Sequence, residues 1–425
     1  MGTMALLLGC IADDMTGATD LGSSLVRAGV PTLLTVGVPS GPLETATAGA
    51  IVIALKSRML PAQDAVEQSL AAQAWLQAAG VHQFLFKYCS TFDSTDAGNI
   101  GPVGDALLDA TGESCTIVCP SYPANRRTVY QGNLFVGAQL LSESPMRDHP
   151  LTPMTDANLV RVLSRQTQRP VGLVAYDDVV RGPAAIAERL DLLRREGIAY
   201  AVVDAIDDRH LADIAIACRG RRLVTGGAAI AAGLVENFRN RGLLADVVDG
   251  GISAWPAGPA AIMAGSSSTA TLAQVSAARV RWPSWQLDPL ALAEGGGHVD
   301  DAGAWATRHM TLSPVMIYAS TTPESLREIR SRLGRDRAGA LIEQAFAQIA
   351  ERLVAAGLRR LIVAGGETSG AVVAGLGIRA LQIGPPIAPG VPWTLSRGEP
   401  AIALALKSGN FGGPQFFIEA LEMLP

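Results

Sequence analysis

The chain has 425 residues, of which 48% are hydrophobic and only 17% are charged. These values exclude a disordered chain, and the length predicts two or three folded domains. The net charge is −5 and no run of five like charges occurs, which argues against a nucleic-acid-binding surface. The five cysteines are scattered and include no Cys-x-x-Cys pair. Neither a disulfide framework nor a structural zinc site is therefore expected.

Residues 4–12 form an apolar run that ends at Asp13 and Asp14. The run is too short to span a bilayer, and it has neither a basic leader nor a cleavage site for a signal peptidase. We therefore expect a soluble, cytoplasmic protein that has no membrane or nucleic-acid partner.

Short apolar runs alternate with helical stretches over the first 240 residues. Apolar strands separated by helices are typical of a parallel sheet that is covered on both faces. The predicted strands are 5–12, 32–36, 50–54, 83–87, 115–119, 171–175, 199–203 and 222–224. The predicted helices are 17–28, 62–79, 183–195, 208–218 and 228–240.

Residues 120–170 interrupt this alternation, and we predict a long irregular loop there. The segment is polar, and it contains Pro120, Pro123, Pro145, Pro150 and Pro153. A long ordered loop in a compact domain is usually functional. The arginines of segments 125–127 and 146–150 could close over a ligand, whereas His149 alone is weak evidence for catalysis.

Residues 241–259 are rich in glycine and proline and are predicted to be a linker between domains 1–240 and 260–425. The second domain repeats the alternation of strands and helices. Its predicted strands are 260–264, 314–319, 360–364, 393–395 and 401–406, and its predicted helices are 269–279, 338–356, 368–375 and one from 414. The sequence thus predicts an α/β protein of two domains, each a mainly parallel sheet flanked by helices. An active site is expected in the cleft between the domains.

Polar and charged side chains follow the predicted strands of the first domain. Ligands of open parallel sheets bind beyond the carboxyl ends of the strands, so these side chains are candidates for a substrate site. They are Asp13 and Asp14 after the first strand, Arg58 after the third, and Lys87, Ser90, Thr91 and Asp93 at the end of the fourth.

Each of these charged groups has a structural alternative. Asp13 or Asp14 could take a proton from a substrate hydroxyl while the other holds a cation or an orienting donor. Alternatively, Asp14 caps the following helix and Asp13 is solvated. Arg58 could grip a carboxylate with two parallel hydrogen bonds, or it could be a solvated surface residue.

Two Gly/Ser turns of the second domain, 265–268 and 365–370, each join an apolar strand to a helix, and a third glycine cluster occupies 407–413. Backbone N–H groups at a helix N-terminus suit phosphate oxygens. The second turn is not a Walker A motif, because Ala371 and Val372 stand in place of its Lys and Ser/Thr. It is not a Rossmann fingerprint either, because Glu367 replaces a glycine. We predict nucleotide binding at these turns.

Several longer segments are distinctive. They are ADDMTGATD at 12–20, KYCSTFDST at 87–95, GNIG at 98–101, TVYQG at 128–132, MRDHPLTPM at 146–154, GGETSG at 365–370 and SGNFG at 408–412. Together they resemble the four-carbon acid sugar kinase family, most closely its 3-oxo-tetronate kinase branch. Arg126 departs from the family pattern, which is expected to have glycine there.

The resemblance implies an N-terminal substrate domain and a C-terminal nucleotide domain that uses ATP. It implies that Ser266, Gly365, Gly366, Glu367, Thr368, Ser369, Gly370 and Gly409 contact ATP. It also implies that Asp13, Asp14, Arg58, Lys87 and Arg127 face the acid.

The reaction that the resemblance implies is transfer of a phosphoryl group from ATP, with Mg²⁺ on its phosphates, to the terminal 4-hydroxyl of a four-carbon sugar acid. The preference for 3-oxo-tetronate rests on the resemblance, and D-threonate or D-erythronate is the alternative substrate. A non-catalytic sugar-acid sensor is a second alternative, and a nicotinamide-dependent dehydrogenase is disfavoured by the missing Rossmann fingerprint. The identity of the base, the Mg²⁺ ligands and any homo-oligomer stay open.

Overall fold

The computed structural model describes residues 5–41, 43, 48–149, 151–244, 252, 254–295 and 297–424. The chain divides into two compact units, Met1–Gly250 and Gly251–Pro425. Much of the predicted linker, including Gly250 and Gly251, lies outside the described residues, as does Pro150. Within the described part, no helix is both long enough and apolar enough to cross a membrane.

The first unit is built on a parallel sheet with a small antiparallel sheet beside it. Its strands are β1 (Leu8–Ala12), β2 (Thr32–Val36), β3 (Ala50–Ala54), β4 (Gln83–Lys87), β5 (Thr116–Cys119), β6 (Arg127–Tyr130), β7 (Asn133–Val136), β8 (Gln139–Leu140), β9 (Val171–Val174), β10 (Tyr200–Val203) and β11 (Leu223–Gly226). Its helices are α1 (Met15–Arg27), α2 (Ala62–Ala78), α3 (Ile100–Thr111), α4 (Leu159–Ser164), α5 (Tyr176–Val179), α6 (Pro183–Arg195), α7 (Asp208–Ala217) and α8 (Ile230–Asn240).

The strand order of the main sheet in this unit is β2-β3-β1-β4-β11-β5-β10-β9, and the pairings are parallel. The register pairs Ala12 with Ala54 on one side and with Lys87 on the other. The carboxyl ends of β3, β1 and β4 therefore lie side by side. The residues that follow these three strands are brought together at one edge of the sheet.

The core of the first unit explains why these strands are continuous apolar runs. Every residue of β1 and of β3 is buried, as expected for a parallel sheet that helices cover. Tyr88 and Phe92 extend the core beyond β4, with ring centroids 5.3 Å apart in an edge-to-face arrangement. Burial of one large apolar side chain contributes about 1.5–3 kcal/mol.

The prediction of an irregular loop at 120–170 is wrong in its middle part. Residues 127–140 form the antiparallel sheet β6-β7-β8. Gln131 (φ +49°) and Gly132 (φ +72°) form a two-residue hairpin turn, a turn that needs positive φ at both positions. Asp204, after β10, accepts hydrogen bonds from the N–H groups of Gln131 at 2.7 Å and Gly132 at 2.9 Å. A side chain over 70 residues away thus stabilises a turn that its own sequence marks only weakly.

The second unit has a mainly parallel sheet with antiparallel strands at one side. Its strands are β12 (Ala260–Ala264), β13 (Ser284–Gln286), β14 (Val315–Tyr318), β15 (Arg360–Ala364), β16 (Ala380–Ala388), β17 (Val391–Ser396) and β18 (Ala403–Lys407). Its helices are α9 (Thr269–Arg281), α10 (Pro289–Glu294), α11 (His298–His309), α12 (Pro323–Leu333), α13 (Arg335–Ala355), α14 (Gly366–Gly375) and α15 (Phe416–Glu422).

In this unit the strand order is β13-β14-β12-β15-β18-β17-β16. The pairings from β13 to β18 are parallel, whereas β17 pairs antiparallel with both β18 and β16. The carboxyl ends of β14, β12, β15 and β18 therefore share one edge. The prediction of an α/β fold with mainly parallel sheets flanked by helices is confirmed in each unit.

Candidate functional site

Asp13 and Arg58 form an ion pair at the carboxyl edge of the first sheet, in which the carboxylate is buried and the guanidinium side chain is 21% exposed. Arg58 Nε donates to Asp13 Oδ2 and Arg58 Nη2 donates to Asp13 Oδ1, both at 2.8 Å. The Asp13 carbonyl also accepts hydrogen bonds from the N–H groups of Ser57 at 3.0 Å and Arg58 at 3.2 Å. Asp13 is only 5% exposed. The paired guanidinium replaces water around this carboxylate, so the solvated alternative for Asp13 does not hold.

Asp14 both caps α1 and belongs to the same ionic group. Its Oδ1 accepts from the N–H of Gly17 at 3.0 Å and its Oδ2 from the Thr16 hydroxyl at 2.9 Å. Arg58 Nη2 lies 2.7 Å from Asp14 Oδ1, and Lys87 Nζ lies 3.7 Å from it. Asp14 therefore caps α1, as the structural alternative has it, and its carboxylate also pairs with two cationic side chains. We refer to Asp13, Asp14, Arg58 and Lys87 as the strand-end ion cluster.

The acidic groups here differ in their affinity for a proton. Burial raises the pKa of Asp13, and its pairing with Arg58 opposes this rise only in part. Burial acts on Asp14 too, but Arg58, Lys87 and its hydrogen bonds outweigh it and lower its pKa to about 2. Burial raises the pKa of Asp20 to about 6, against the opposing charge of Lys87. Asp14 is thus a weak proton acceptor, whereas Asp13 and Asp20 are stronger ones.

The residues after β4 lie beside this cluster. Thr91 is buried and donates its hydroxyl to Asp93 at 2.6 Å, and Cys89 Sγ lies 3.0 Å from the same hydroxyl. Ser90 is half-buried. The charges of Arg58 and Lys87 act on the Cys89 thiol, although burial dominates and raises its pKa to about 11. Cys89 is therefore close to the strand-end ion cluster, and Thr91 and Asp93 are linked to Cys89 by these contacts.

Asn99 supports the strand-end ion cluster and Tyr122 pairs with the nearby Asp20; neither residue was predicted as a site residue. The Asn99 side-chain amide donates to the carbonyls of Ser57 at 2.8 Å, Arg58 at 3.3 Å and Leu60 at 3.0 Å. This fixes the loop that carries the Arg58 side chain. Tyr122 donates its hydroxyl to Asp20 at 3.0 Å. Both residues bond to positions far away in the sequence, so local sequence patterns do not mark them. The GNIG segment at 98–101 drew attention to Asn99, and no segment drew attention to Tyr122.

Among the described residues, no hydrogen bond or ion pair links Arg127 to the strand-end ion cluster. It begins β6, and its guanidinium donates to the Asn125 carbonyl. Buried donors without a partner are found at this loop: Arg127 Nε, Asn125 Nδ2 and the Ser121 hydroxyl. Unpaired buried donors are costly, and a ligand whose oxygen atoms accept hydrogen bonds from them would remove that cost. Arg126 has φ +56°, which accounts for glycine as the residue expected at this position.

In the second unit the predicted turns meet at the carboxyl edge of the sheet. The N–H of Gly265 donates to the Ala364 carbonyl and the N–H of Gly365 to the Lys407 carbonyl, both at 2.9 Å. A side chain at position 265 would collide with Thr368 Oγ1, and one at position 409 would collide with Ser266 Oγ. The three turns 265–268, 365–370 and 407–413 are therefore packed too tightly for side chains at these glycines.

A cavity of about 260 Å³ opens beside these turns. Gly265, Ser267, Glu367 and Thr368 supply part of its wall, so it is continuous with two of the turns. Apolar side chains from three helices supply another part: Pro289, Leu326, Ile329 and Ile342. An apolar slot next to glycine-rich turns can take a flat ring on one side and phosphates on the other. Neither α10 nor α12, which supply Pro289, Leu326 and Ile329, was predicted from the sequence.

The remaining predicted residues of the second turn lie on α14. Gly366 and Glu367 begin this helix, and the N–H of Ser369 donates to the Gly365 carbonyl at 2.8 Å. The Ser369 hydroxyl is buried and has no hydrogen-bond partner. Gly370 has open space where a side chain would stand. The helix thus presents its first-turn N–H groups to the edge where the three turns meet.

Among the described residues, no group of three or more His, Cys, Asp and Glu side chains could hold a metal ion. Mg²⁺ in phosphoryl-transfer enzymes is usually held by one or two carboxylates and by the phosphates themselves. Glu367 and the Ser267 and Thr368 side chains in the cavity wall offer the hard oxygen donors that this ion prefers. The residues present therefore fit a magnesium ion that arrives with a nucleotide.

Comparison with known proteins agrees with the difference between the two units, of which the first carries the ion cluster and the second the glycine-rich turns. A model of a sugar-binding N-terminal domain matches residues 8–234, and one of a nucleotide-binding C-terminal domain matches residues 261–417. The chain is 54% identical to the 3-oxo-tetronate kinase of Cupriavidus necator, over 100% of this chain and 99% of that protein. It is also 54% identical to the 3-oxo-tetronate kinase of Burkholderia multivorans, over 98% of this chain and 97% of that protein.

The fold is also found in a solved structure. A crystal structure from Salmonella typhimurium LT2, described provisionally as a tRNA synthase, is 42% identical with a TM-score of 0.88. The match covers 99% of this chain and 100% of that one.

Proposed function

Because the chain belongs to the four-carbon acid sugar kinase family and is a carbohydrate kinase, we propose that it phosphorylates a four-carbon sugar acid. The donor is ATP and the acceptor is the terminal 4-hydroxyl of the acid, with 3-oxo-tetronate as the preferred substrate. The observation that carries the proposal is that each unit gathers its ligand-binding groups at the carboxyl edge of its own parallel sheet. One edge is ionic and the other is glycine-rich.

The nucleotide is assigned to the second unit. The phosphates bind the N–H groups of the three turns, whose glycines leave the backbone accessible, and the nucleoside occupies the apolar cavity. Ser266, Gly365–Gly370 and Gly409 are the proposed contacts. Glu367 is the proposed magnesium carboxylate, and Mg²⁺ neutralises phosphate charge when it is bound.

The acid is assigned to the ion cluster of the first unit. Arg58 uses Nε and Nη2 for Asp13 and Asp14, which leaves Nη1 to face a ligand. Lys87 and the unpaired Nε of Arg127 are the other cationic donors for the carboxylate. Ser90, Thr91 and Asp93 supply hydroxyl and carboxylate groups for the hydroxyls of the substrate.

Asp13 is the proposed acceptor of the hydroxyl proton. Its pKa is raised whereas that of Asp14 is lowered to about 2, so Asp13 binds a proton more readily. Asp14 then stabilises the cations that orient the acid. Most of the rate comes from positioning the hydroxyl against the phosphoryl group and from charge stabilisation, as in other phosphoryl transfers.

A direct assay tests the proposal. ADP release is measured with ATP, Mg²⁺ and each of three acids: 3-oxo-tetronate, D-threonate and D-erythronate. Phosphorus NMR of the product then locates the new phosphate. We expect the highest kcat/KM with 3-oxo-tetronate and a 4-phosphate product. A higher value with a hydroxy acid would reassign the substrate, and acid binding without ADP release would favour a sensor.

A further inference from the structure

Lysine is rare in this chain, and two of the lysines end strands at the carboxyl edges of the two sheets. Of 34 basic residues only three are lysine: Lys56, Lys87 and Lys407. Lys87 is the last residue of β4 and Lys407 the last residue of β18. Both are buried, although lysine is among the residues least often buried without an opposite charge. Lys407 has no role in the proposal above.

Lys407 is fully buried among uncharged acceptors. Its Nζ donates to the Thr271 hydroxyl at 3.2 Å and to the carbonyls of Ser408 and Gly409, both at 3.0 Å. The Phe416 ring lies 5.9 Å from Nζ. Three acceptors match the three N–H bonds that this side chain has only when it is protonated, yet none of the acceptors carries a negative charge. A buried ammonium without a counter-charge costs stability, so the fold alone gives no reason for a lysine here.

The same lysine fixes the turn that contains Gly409. The Gly409 carbonyl also accepts from the Ser268 hydroxyl at 2.5 Å and from the Thr271 hydroxyl at 2.8 Å. In a trans peptide the N–H of the next residue points opposite to the carbonyl. Holding the Gly409 carbonyl against Lys407 therefore turns the N–H of Asn410 to the other side of the peptide. Asn410 is exposed, as a residue must be if its N–H is to meet a ligand.

We propose that Lys407 is a positioning residue, an inference that rests on the ATP site of the proposed function. Lys407 orients the Gly409–Asn410 peptide toward phosphate, and it takes up a proton when the nucleotide binds. The proton comes from the solvent and converts a neutral amine into an ammonium. The nucleotide phosphates then supply the counter-charge that the protein lacks. No covalent bond forms or breaks.

The charges around Lys407 support this assignment. Burial lowers the pKa of Lys407 to about 7, so about nine-tenths of the side chain is neutral at pH 8. Nearby phosphate anions favour the charged form and raise the pKa again. The charged residues on the surrounding elements are Arg279 and Arg281 on α9, Arg360 on β15, Glu367 on α14, and Glu419 and Glu422 on α15. Burial, rather than any of these, sets the pKa of Lys407.

The test is calorimetric titration of the full chain with ATP at pH 8, in two buffers that differ in their enthalpy of ionisation. The difference in heat counts the protons taken up. Wild type, Lys407→Arg and Lys407→Met are compared. The matched control is Trp393→Phe, which removes a buried hydrogen bond of 3.1 Å to the Ala420 carbonyl in the same unit. Melting curves without ATP confirm that each variant is folded.

We expect wild type and Trp393→Phe to take up close to one proton per ATP. Lys407→Arg, which is already charged, should bind ATP with no such uptake. Lys407→Met should bind at least tenfold more weakly, yet melt at the same or a higher temperature without ATP. A purely structural lysine would instead lower the melting temperature on substitution and leave ATP affinity unchanged.

Several results would overturn the inference. They are wild-type uptake below about a third of a proton, equal uptake in Lys407→Arg, or wild-type affinity in Lys407→Met. If neither variant folds, the wild-type proton count decides. A wild-type chain that binds no ATP would overturn the proposed function itself, which separates the two failures.

Discussion

Arg58 holds Asp13 through two parallel hydrogen bonds of 2.8 Å at the end of β1. The two residues are 45 positions apart, and the parallel pairing of β1 with β3 brings them together. A bidentate pair fixes both the position and the plane of the carboxylate. A carboxylate fixed in this way suits the proposed contact with a substrate hydroxyl, and the opposite pKa shifts of Asp13 and Asp14 predict unequal roles for them.

Asp13→Asn should reduce kcat by about 10²–10⁴ with a smaller change in KM, because it removes the proposed base and keeps the side-chain shape.

Asp14→Asn should affect KM for the acid more than kcat, because it removes charge beside Arg58 and Lys87 while an Asn can still cap α1. Steady-state kinetics with the preferred acid measures both.

The matched control is Asp156→Asn. Asp156 also pairs with two arginines, Arg161 and Arg165, but it lies outside the proposed site. The catalytic rate of the Asp156→Asn variant should stay at the wild-type value. If Asp13→Asn also retains the wild-type rate, Asp13 is not the base.

Arg58→Met should destabilise the protein by about 3–5 kcal/mol, the usual result of removing one partner of a buried ion pair. The Asp13 carboxylate would lose its charge partner, so its pKa should rise further and its base form should become scarce at neutral pH. Urea unfolding measures the loss. The double variant Arg58→Met/Asp13→Asn should recover part of it, because the buried Asp13 charge left without its partner is then removed. Equal stability of the single and double variants would contradict the pairing argument.

Asp20→Asn should stabilise the protein at neutral pH. The folded-state pKa of Asp20 is about 6 against an ordinary value of 3.8, so the folded state holds the proton more tightly than the unfolded state does. The ionised form is therefore a cost to the fold above pH 6, and the cost vanishes as the pH falls below about 4.

The gain in unfolding free energy is expected to be roughly 1–3 kcal/mol at pH 7.5 and near zero at pH 4. Asn can still accept the Tyr122 hydroxyl, so the hydrogen bond is retained. Denaturation of wild type and variant across this pH range provides the comparison. A difference that does not vary with pH would show that the carboxyl charge is not the cause.

The sequence predicted those parts of the fold whose signals are local. Strands β2, β3, β4, β12 and β15 have the predicted bounds, because each is a short, mainly apolar run with a polar, glycine or proline residue at or near either end. Helix α3 was missed, since Gly101, Pro102 and Gly104 weaken its pattern. Strand β16 was missed because it contains Pro385 and Pro386, which rarely occur inside strands.

The same distinction holds at the site. Asp13, Asp14, Arg58 and Lys87 all follow strands, so the parallel topology alone predicts that they meet. Asp20 and Tyr122 meet across 102 positions, and nothing local marks the pair. Lys407 lay within a glycine cluster that was noted for its backbone, and only its burial and hydrogen bonds in the structure suggest the role proposed for its side chain.

Gly265→Ala should raise KM for ATP by at least tenfold and leave KM for the acid unchanged. The new methyl group would collide with Thr368 Oγ1, and this would separate the turn after β12 from the turn after β15. The phosphates are proposed to contact both turns, so moving them apart removes contacts from the nucleotide alone. The comparison is Gly41→Ala in the first unit, outside the proposed nucleotide site, where nothing lies within 4 Å of the added carbon. That variant should keep the wild-type melting temperature, whereas Gly265→Ala should lose about 1–3 kcal/mol, as overpacked sites do. A Gly265→Ala chain with wild-type KM for ATP would place the phosphates away from these turns.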